Sequence, residues 1–184
     1  MKVSPLATLT TLATVGLLAF SSTSFADNRQ GFYAGGNWSF IDSNAADAAG
    51  NGVDFRSLEV VGGYKYRSWA GVEARFGTSL KKETFATDLT GGEVEVGIDH
   101  YESLYYRLES ANQVAKFYVL LGFSNIQTSN GNSDESGSES GASYGVGIGF
   151  VMNENLNLNF EYRDILDEDA TTFTAMSIGL DYRF

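Results

Sequence analysis

The sequence predicts an all-β fold, an eight-stranded antiparallel up-and-down transmembrane β-barrel behind a cleaved signal peptide. Apolar and polar residues alternate with period two in about eight segments, each near the ~10 residues that a tilted strand needs to cross a membrane. In nearly every segment one face carries large lipid-compatible side chains while the other carries Gly, Ser and charge, a pattern that a water-soluble core would not show. The 21 glycines, the single proline and an aromatic fraction of 14% suit strands with close backbone approaches and do not suit a helical protein.

Residues 1–26 read as an export signal. Lys2 gives a positive start, an apolar run extends from Leu6 to Phe20, and Ser24-Phe25-Ala26 places small residues where a signal peptidase reads. The run is shorter than the ~20 apolar residues of a membrane-crossing helix. Cleavage before Asp27 leaves residues 27–184 as one barrel domain. Without Lys2, 11 basic residues face 23 acidic ones, and a net charge of −12 with no basic patch argues against nucleic acid as a partner. Cysteine is absent, which excludes disulfides, thiol catalysis and a Cys-based zinc site.

The strands follow in order. The first, about 32 to 40, puts Phe32, Ala34, Gly36, Trp38 and Phe40 on the lipid side and Tyr33, Gly35, Asn37 and Ser39 on the other. The second, about 58 to 66, sets Leu58, Val60, Gly62, Tyr64 and Tyr66 against Glu59, Val61, Gly63 and Lys65. In the third, Ala70, Val72, Ala74 and Phe76 point out, and Gly71, Glu73, Arg75 and Gly77 point in. Tyr101, Tyr105 and Tyr106 blur the two faces of the fourth, about 96 to 108. The fifth shows Phe117, Val119, Leu121 and Phe123 outward, and the sixth alternates Tyr144, Val146, Ile148 and Phe150 with Gly145, Gly147 and Gly149. The seventh opposes Leu156, Leu158, Phe160 and Tyr162 to Asn157, Asn159, Glu161 and Arg163. The eighth opposes Met176, Ile178, Leu180, Tyr182 and Phe184 to Ser177, Gly179, Asp181 and Arg183.

Short connections near 67 to 69, 111 to 114 and 153 to 155 alternate with long ones near 42 to 54, 79 to 93, 125 to 141 and 164 to 172. The long ones are rich in Gly, Ser, Asn and Asp, which favour turns and solvated backbone, and should face outward from the cell. Aromatics cluster at predicted strand ends, Phe32, Tyr66, Trp69 and Phe184 below and Trp38, Phe40, Phe76 and Phe123 above, as interfacial girdles do.

Gly31-Phe32-Tyr33-Ala34-Gly35-Gly36, Asp99-His100-Tyr101, Glu161-Tyr162 and the terminal Tyr182-Arg183-Phe184 together resemble the small outer-membrane barrels that include the OmpA transmembrane domain and the Ail and OmpX group. The resemblance spans most of the mature chain and implies a Gram-negative outer-membrane location, with lipid and lipopolysaccharide around the barrel. Ile178, Leu180, Tyr182 and Phe184 resemble the C-terminal signal that the outer-membrane insertion machinery recognises. The chain departs from full-length OmpA by stopping at the barrel, so the resemblance does not carry over an expectation of peptidoglycan binding.

An eight-stranded barrel is filled by its own side chains, so buried charges need partners. A turn at Arg67-Ser68-Trp69 that sets Tyr66 against Ala70 places Gly63 opposite Glu73 and Val61 opposite Arg75, with Lys65 diagonal to Glu73 and Glu59 diagonal to Arg75. A turn at Asn153-Glu154-Asn155 sets Gly147 opposite Glu161 and Gly145 opposite Arg163, and Asp181 and Arg183 join from the last strand. A salt-bridged structural plug is the expectation for this set; a gate over a narrow pore is the alternative.

His100 and Ser103 superficially collect a base and a nucleophile, but on an extended strand they lie on opposite faces, whereas His100 and Glu102 share one. No catalytic, cofactor or metal set emerges. The run from Asp164 to Asp169 reads as solvated turn more than as a divalent-cation site, and Lys81-Lys82 as a solvated pair more than as a lipopolysaccharide contact. The expected function is a monomeric, non-enzymatic outer-membrane barrel that supports the envelope and displays loops to an external ligand or host surface. An Ail-type adhesin, a narrow porin-like channel and a lipid-modifying enzyme are the alternatives.

Overall fold

The computed structural model describes residues 30–43, 53–80, 83–87, 92–110, 114–130, 136–168 and 171–184. The segment read as a signal peptide lies outside them, as do Lys81, Lys82, Asp169 and four further acidic residues of the long connections expected from sequence, Asp47, Asp88, Asp134 and Glu135. The described chain forms strand segments β1 (Gly31–Ser43), β2 (Val53–Arg67), β3 (Ala70–Ser79), β4 (Glu83–Thr87), β5 (Gly92–Glu109), β6 (Ala115–Asn130), β7 (Ser136–Val151), β8 (Leu156–Glu168) and β9 (Thr171–Arg183).

These nine segments make eight staves, because β4 continues β3. The second half of β5 pairs with β3 from Ala70↔Leu108 to Gly77↔Tyr101, and its first residues pair with β4 from Glu83↔Val96 to Thr87↔Gly92. Neighbouring staves are antiparallel, and β1 pairs with β9 from Tyr33↔Arg183 to Ser43↔Phe173, which closes the ring. Closure matters physically because an unpaired backbone amide in hydrocarbon costs several kcal/mol.

The register sets Gly63 opposite Glu73 and Val61 opposite Arg75, and likewise Gly147 opposite Glu161 and Gly145 opposite Arg163. The β2–β3 turn differs from expectation by one residue: a bulge between Lys65 and Arg67 makes Arg67, not Tyr66, the partner of Ala70. Glycines opposite large lumen residues have a steric task. A Cβ on Gly63 would collide with the Tyr33 ring, one on Gly77 with Tyr101, and one on Gly147 with Tyr118. Each ring therefore lies over a bare stretch of the neighbouring strand.

The strands are longer than a bilayer crossing needs: β5 has 18 residues, and β6 and β7 have 16 each. The connections expected near 79 to 93, 125 to 141 and 164 to 172 are consequently in large part strand. The reason is a reversal of hydropathy along each stave. At the end bearing the short turns and in the middle, the outer wall is apolar and the lumen polar. Towards the other end the faces swap: Ile41, Phe55, Ile98, Ile126, Ile165, Leu166 and Phe173 turn inward and are buried, and Asp42, Arg56 and Asp99 turn out to solvent. That stretch has the pattern of a water-soluble sheet, apolar inside and polar outside. Its polar outer face made it read as loop.

Candidate functional site

The lumen is the candidate site, and it is built in tiers. Alternation turns every second residue of each strand inward, and the register then fixes which side chains meet. Among the described buried residues, six cations (Lys65, Arg75, Arg107, Lys116, Arg163 and Arg183) share the interior with five anions (Glu59, Glu73, Glu109, Glu161 and Asp181).

In the tier nearest the short turns, Glu109 is the hub. Lys65 Nζ donates to its Oε1, Arg183 donates from NH1 at 3.2 Å and NH2 at 3.3 Å, Arg107 donates from Nε at 3.1 Å, and Lys116 Nζ lies 3.9 Å away. Asp181 accepts from Asn157 at 2.7 Å, Asn159 at 2.6 Å and Arg183 Nε at 3.2 Å. The middle tier turns on Arg75, which makes a two-pronged bridge to Glu161 at 2.6 and 2.8 Å and also reaches Glu73 at 2.6 Å and Glu59 at 3.0 Å. Glu73 further accepts from Tyr33 OH at 2.6 Å and Arg107 at 2.9 Å, and Glu59 accepts from Asn37 at 2.7 Å and Arg163 at 2.7 Å. Arg107 lies over the Tyr118 ring with its Cζ 3.8 Å from the centroid, so the guanidinium is packed on its face as well as paired at its edge.

Above the ions comes a tier of hydroxyls: Ser39 with Ser177 at 2.7 Å, Ser103 with Ser124 at 2.7 Å, Tyr105 with Ser143 at 2.6 Å and Ser57 with Tyr101 at 3.0 Å. The apolar cluster of Ile41, Phe55, Ile98, Ile126 and Phe173 caps this stack. The free space left among Tyr33, Arg75, Arg107, Tyr118 and Glu161 is about 10 Å³, at the lower limit of the ~10–15 Å³ that a single water requires.

All eight lumen residues singled out from sequence, Glu59, Lys65, Glu73, Arg75, Glu161, Arg163, Asp181 and Arg183, point inward and are buried. One pairing differs: Lys65 bonds Glu109, not Glu73, because Tyr33 and Arg107 already occupy Glu73. Sequence reading missed Arg107, Glu109 and Lys116, which join the lower tier to the middle one. Parity would have found the first two, since Leu104 and Tyr106 face out and the alternating Ser103, Tyr105, Arg107 and Glu109 must face in. Ile178, Leu180 and Tyr182 lie exposed on the outer wall, and Phe184 ties the end of the chain to β1 through its N–H to Phe32 O at 3.0 Å.

His100 stacks on Phe76 at 5.6 Å on the outer wall, while Ser103 bonds Ser124 in the lumen, so the two stand on opposite sides of the sheet. Asp164 to Glu168 belong to β8, not to a loop, with Ile165 and Leu166 buried inside. Among the described residues no group of three or more His, Cys, Asp or Glu is arranged to hold a metal.

Residues 10–184 match the family of the outer membrane protein beta-barrel domain. The chain belongs to that family. It is an outer-membrane protein of a bacterium, and the short-turn end of the barrel is accordingly periplasmic. Among solved structures it is similar to Ail, the attachment invasion locus protein of Yersinia pestis, in complex with the heparin analogue sucrose octasulfate. That match has 17% identity and a TM-score of 0.63 and covers 85% of this chain and 99% of that one. It is also similar to Neisserial surface protein A (15% identity, 83% and 97% covered, TM-score 0.62) and to OprG of Pseudomonas aeruginosa (15% identity, 85% and 97% covered, TM-score 0.57). At these identities the likeness is one of fold. No curated protein matches the chain by sequence.

Proposed function

We propose that the protein is a non-enzymatic, non-conducting barrel that contributes to outer-membrane structure and holds surface loops on a rigid stalk. One observation carries this reading: the lumen is closed twice, by a paired ionic plug and by an apolar cap above it. An ion crossing the plug would have to displace buried bridges, each costly to break, and would then meet hydrocarbon side chains that offer no solvation.

The strands that continue past the membrane carry the outer connections on a stiff support. Surface binding of the Ail type is the second reading, and charge narrows its partner. Exposed Asp42, Asp99 and Glu102 outnumber Arg56 on the described outer face of the upper barrel, so a cationic partner suits this surface better than a polyanion of the kind seen bound to Ail. Lipid and lipopolysaccharide surround the monomeric barrel, and Ile178, Leu180, Tyr182 and Phe184 form the strand end offered to the insertion machinery. Proteoliposome swelling tests the closed lumen: vesicles carrying the refolded protein should exclude small sugars as empty vesicles do, and swelling at a rate above that baseline would overturn the reading.

A further inference from the structure

The outer wall is not uniform. Near its periplasmic end lies a trough of about 570 Å³, lined by Trp69, Leu108, Phe117, Val119 and Val146 among others. Its size falls within the ~300–1,000 Å³ of ligand-sized clefts. Leu108, Val119 and Val146 stand side by side across β5, β6 and β7 and form its floor. Trp69 and Phe117 rise on the periplasmic side, and the next row towards the mid-plane is Tyr106, Leu121 and Tyr144, so the floor is a step between two rows of larger side chains.

We propose that this trough holds one acyl chain of an anionic phospholipid of the inner leaflet, with its phosphate at Arg67. The position selects the occupant. Every floor residue faces the hydrocarbon, and the Trp69 rim lies at the headgroup level where aromatic girdles sit. Arg67 is exposed in the same turn, two residues before Trp69, and a guanidinium grips phosphate oxygens with paired N–H donors. In a protein with this excess of acid, the cation at that rim gives an anionic headgroup its complementary charge.

Native mass spectrometry of the full barrel in mild detergent, with phosphatidylglycerol and phosphatidylcholine added in equal amounts, tests the site. The wild type should retain one phosphatidylglycerol in preference to phosphatidylcholine. Val119→Trp, which fills the floor from the outer wall without touching the lumen, should lower retention of both about tenfold, with Val146→Trp as the second filling variant. Arg67→Ala should abolish the preference while keeping chain binding. Equal retention of the two lipids by the wild type, unchanged retention in a folded filling variant, or a preference that survives Arg67→Ala would each overturn the assignment.

Discussion

Arg75 sits among three carboxylates, Glu59, Glu73 and Glu161, and its side chain is 1% exposed. Breaking a buried pair from one side costs far more than removing both partners, because the remaining charge keeps its desolvation penalty. Arg75→Ala should therefore destabilise the folded barrel by about 3–5 kcal/mol. Adding Glu161→Gln should recover part of that loss, since Glu161 holds the two-pronged bridge. Urea midpoints of the refolded variants measure this, and equal midpoints for single and double variants would contradict the pairing. Glycines make a second residue-scale test. Gly147→Ala pushes a methyl into the Tyr118 ring and should cost about 1–3 kcal/mol, whereas Gly62→Ala, which meets nothing within 4 Å, should leave the midpoint unchanged. Most ionic residues were legible from alternation and turn position. The carboxylate that Lys65 meets is not legible, because diagonal neighbours on adjacent strands compete with residues reaching across the lumen, and only three-dimensional packing ranks the two.

At the scale of elements, β5 shows why some faces resist sequence reading. Tyrosine tolerates either environment, so Tyr101 and Tyr105 in the lumen and Tyr106 on the wall look alike in sequence while their neighbours do not. The upper strands were hidden for a different reason: a strand standing in water with a polar outer face has loop-like composition, and its inward Ile or Phe appears only every second residue. The reversal of faces predicts a mechanically separate upper segment. Ile126→Asn, which sets a polar amide in the apolar cap, should speed amide exchange at the upper ends of β6 and β7, while residues 115 to 122 stay protected. Faster exchange spread evenly along β6 would show that cap and plug unfold as one unit.

For the whole molecule, barrel closure, ionic filling and the apolar cap point the same way. A polar lumen alone would suit a channel, and the alternating pattern is equally consistent with one. The closed reading proposed above rests instead on the ion pairs that fill a narrow ring, together with the apolar tier that sequence reading does not place. The fold was legible because membrane physics forces a period of two and a closed edge on any strand protein. The state of the lumen was not, because it depends on which side chains meet across the ring. Single-channel recording in a planar bilayer tests this most directly, with the wild type beside an Arg75→Ala, Glu161→Ala variant. The closed barrel should give no discrete openings in the wild type, and the variant should stay silent too while the cap remains intact. Resolved wild-type openings whose size changes in the variant would contradict the account and make the charged lumen a pathway.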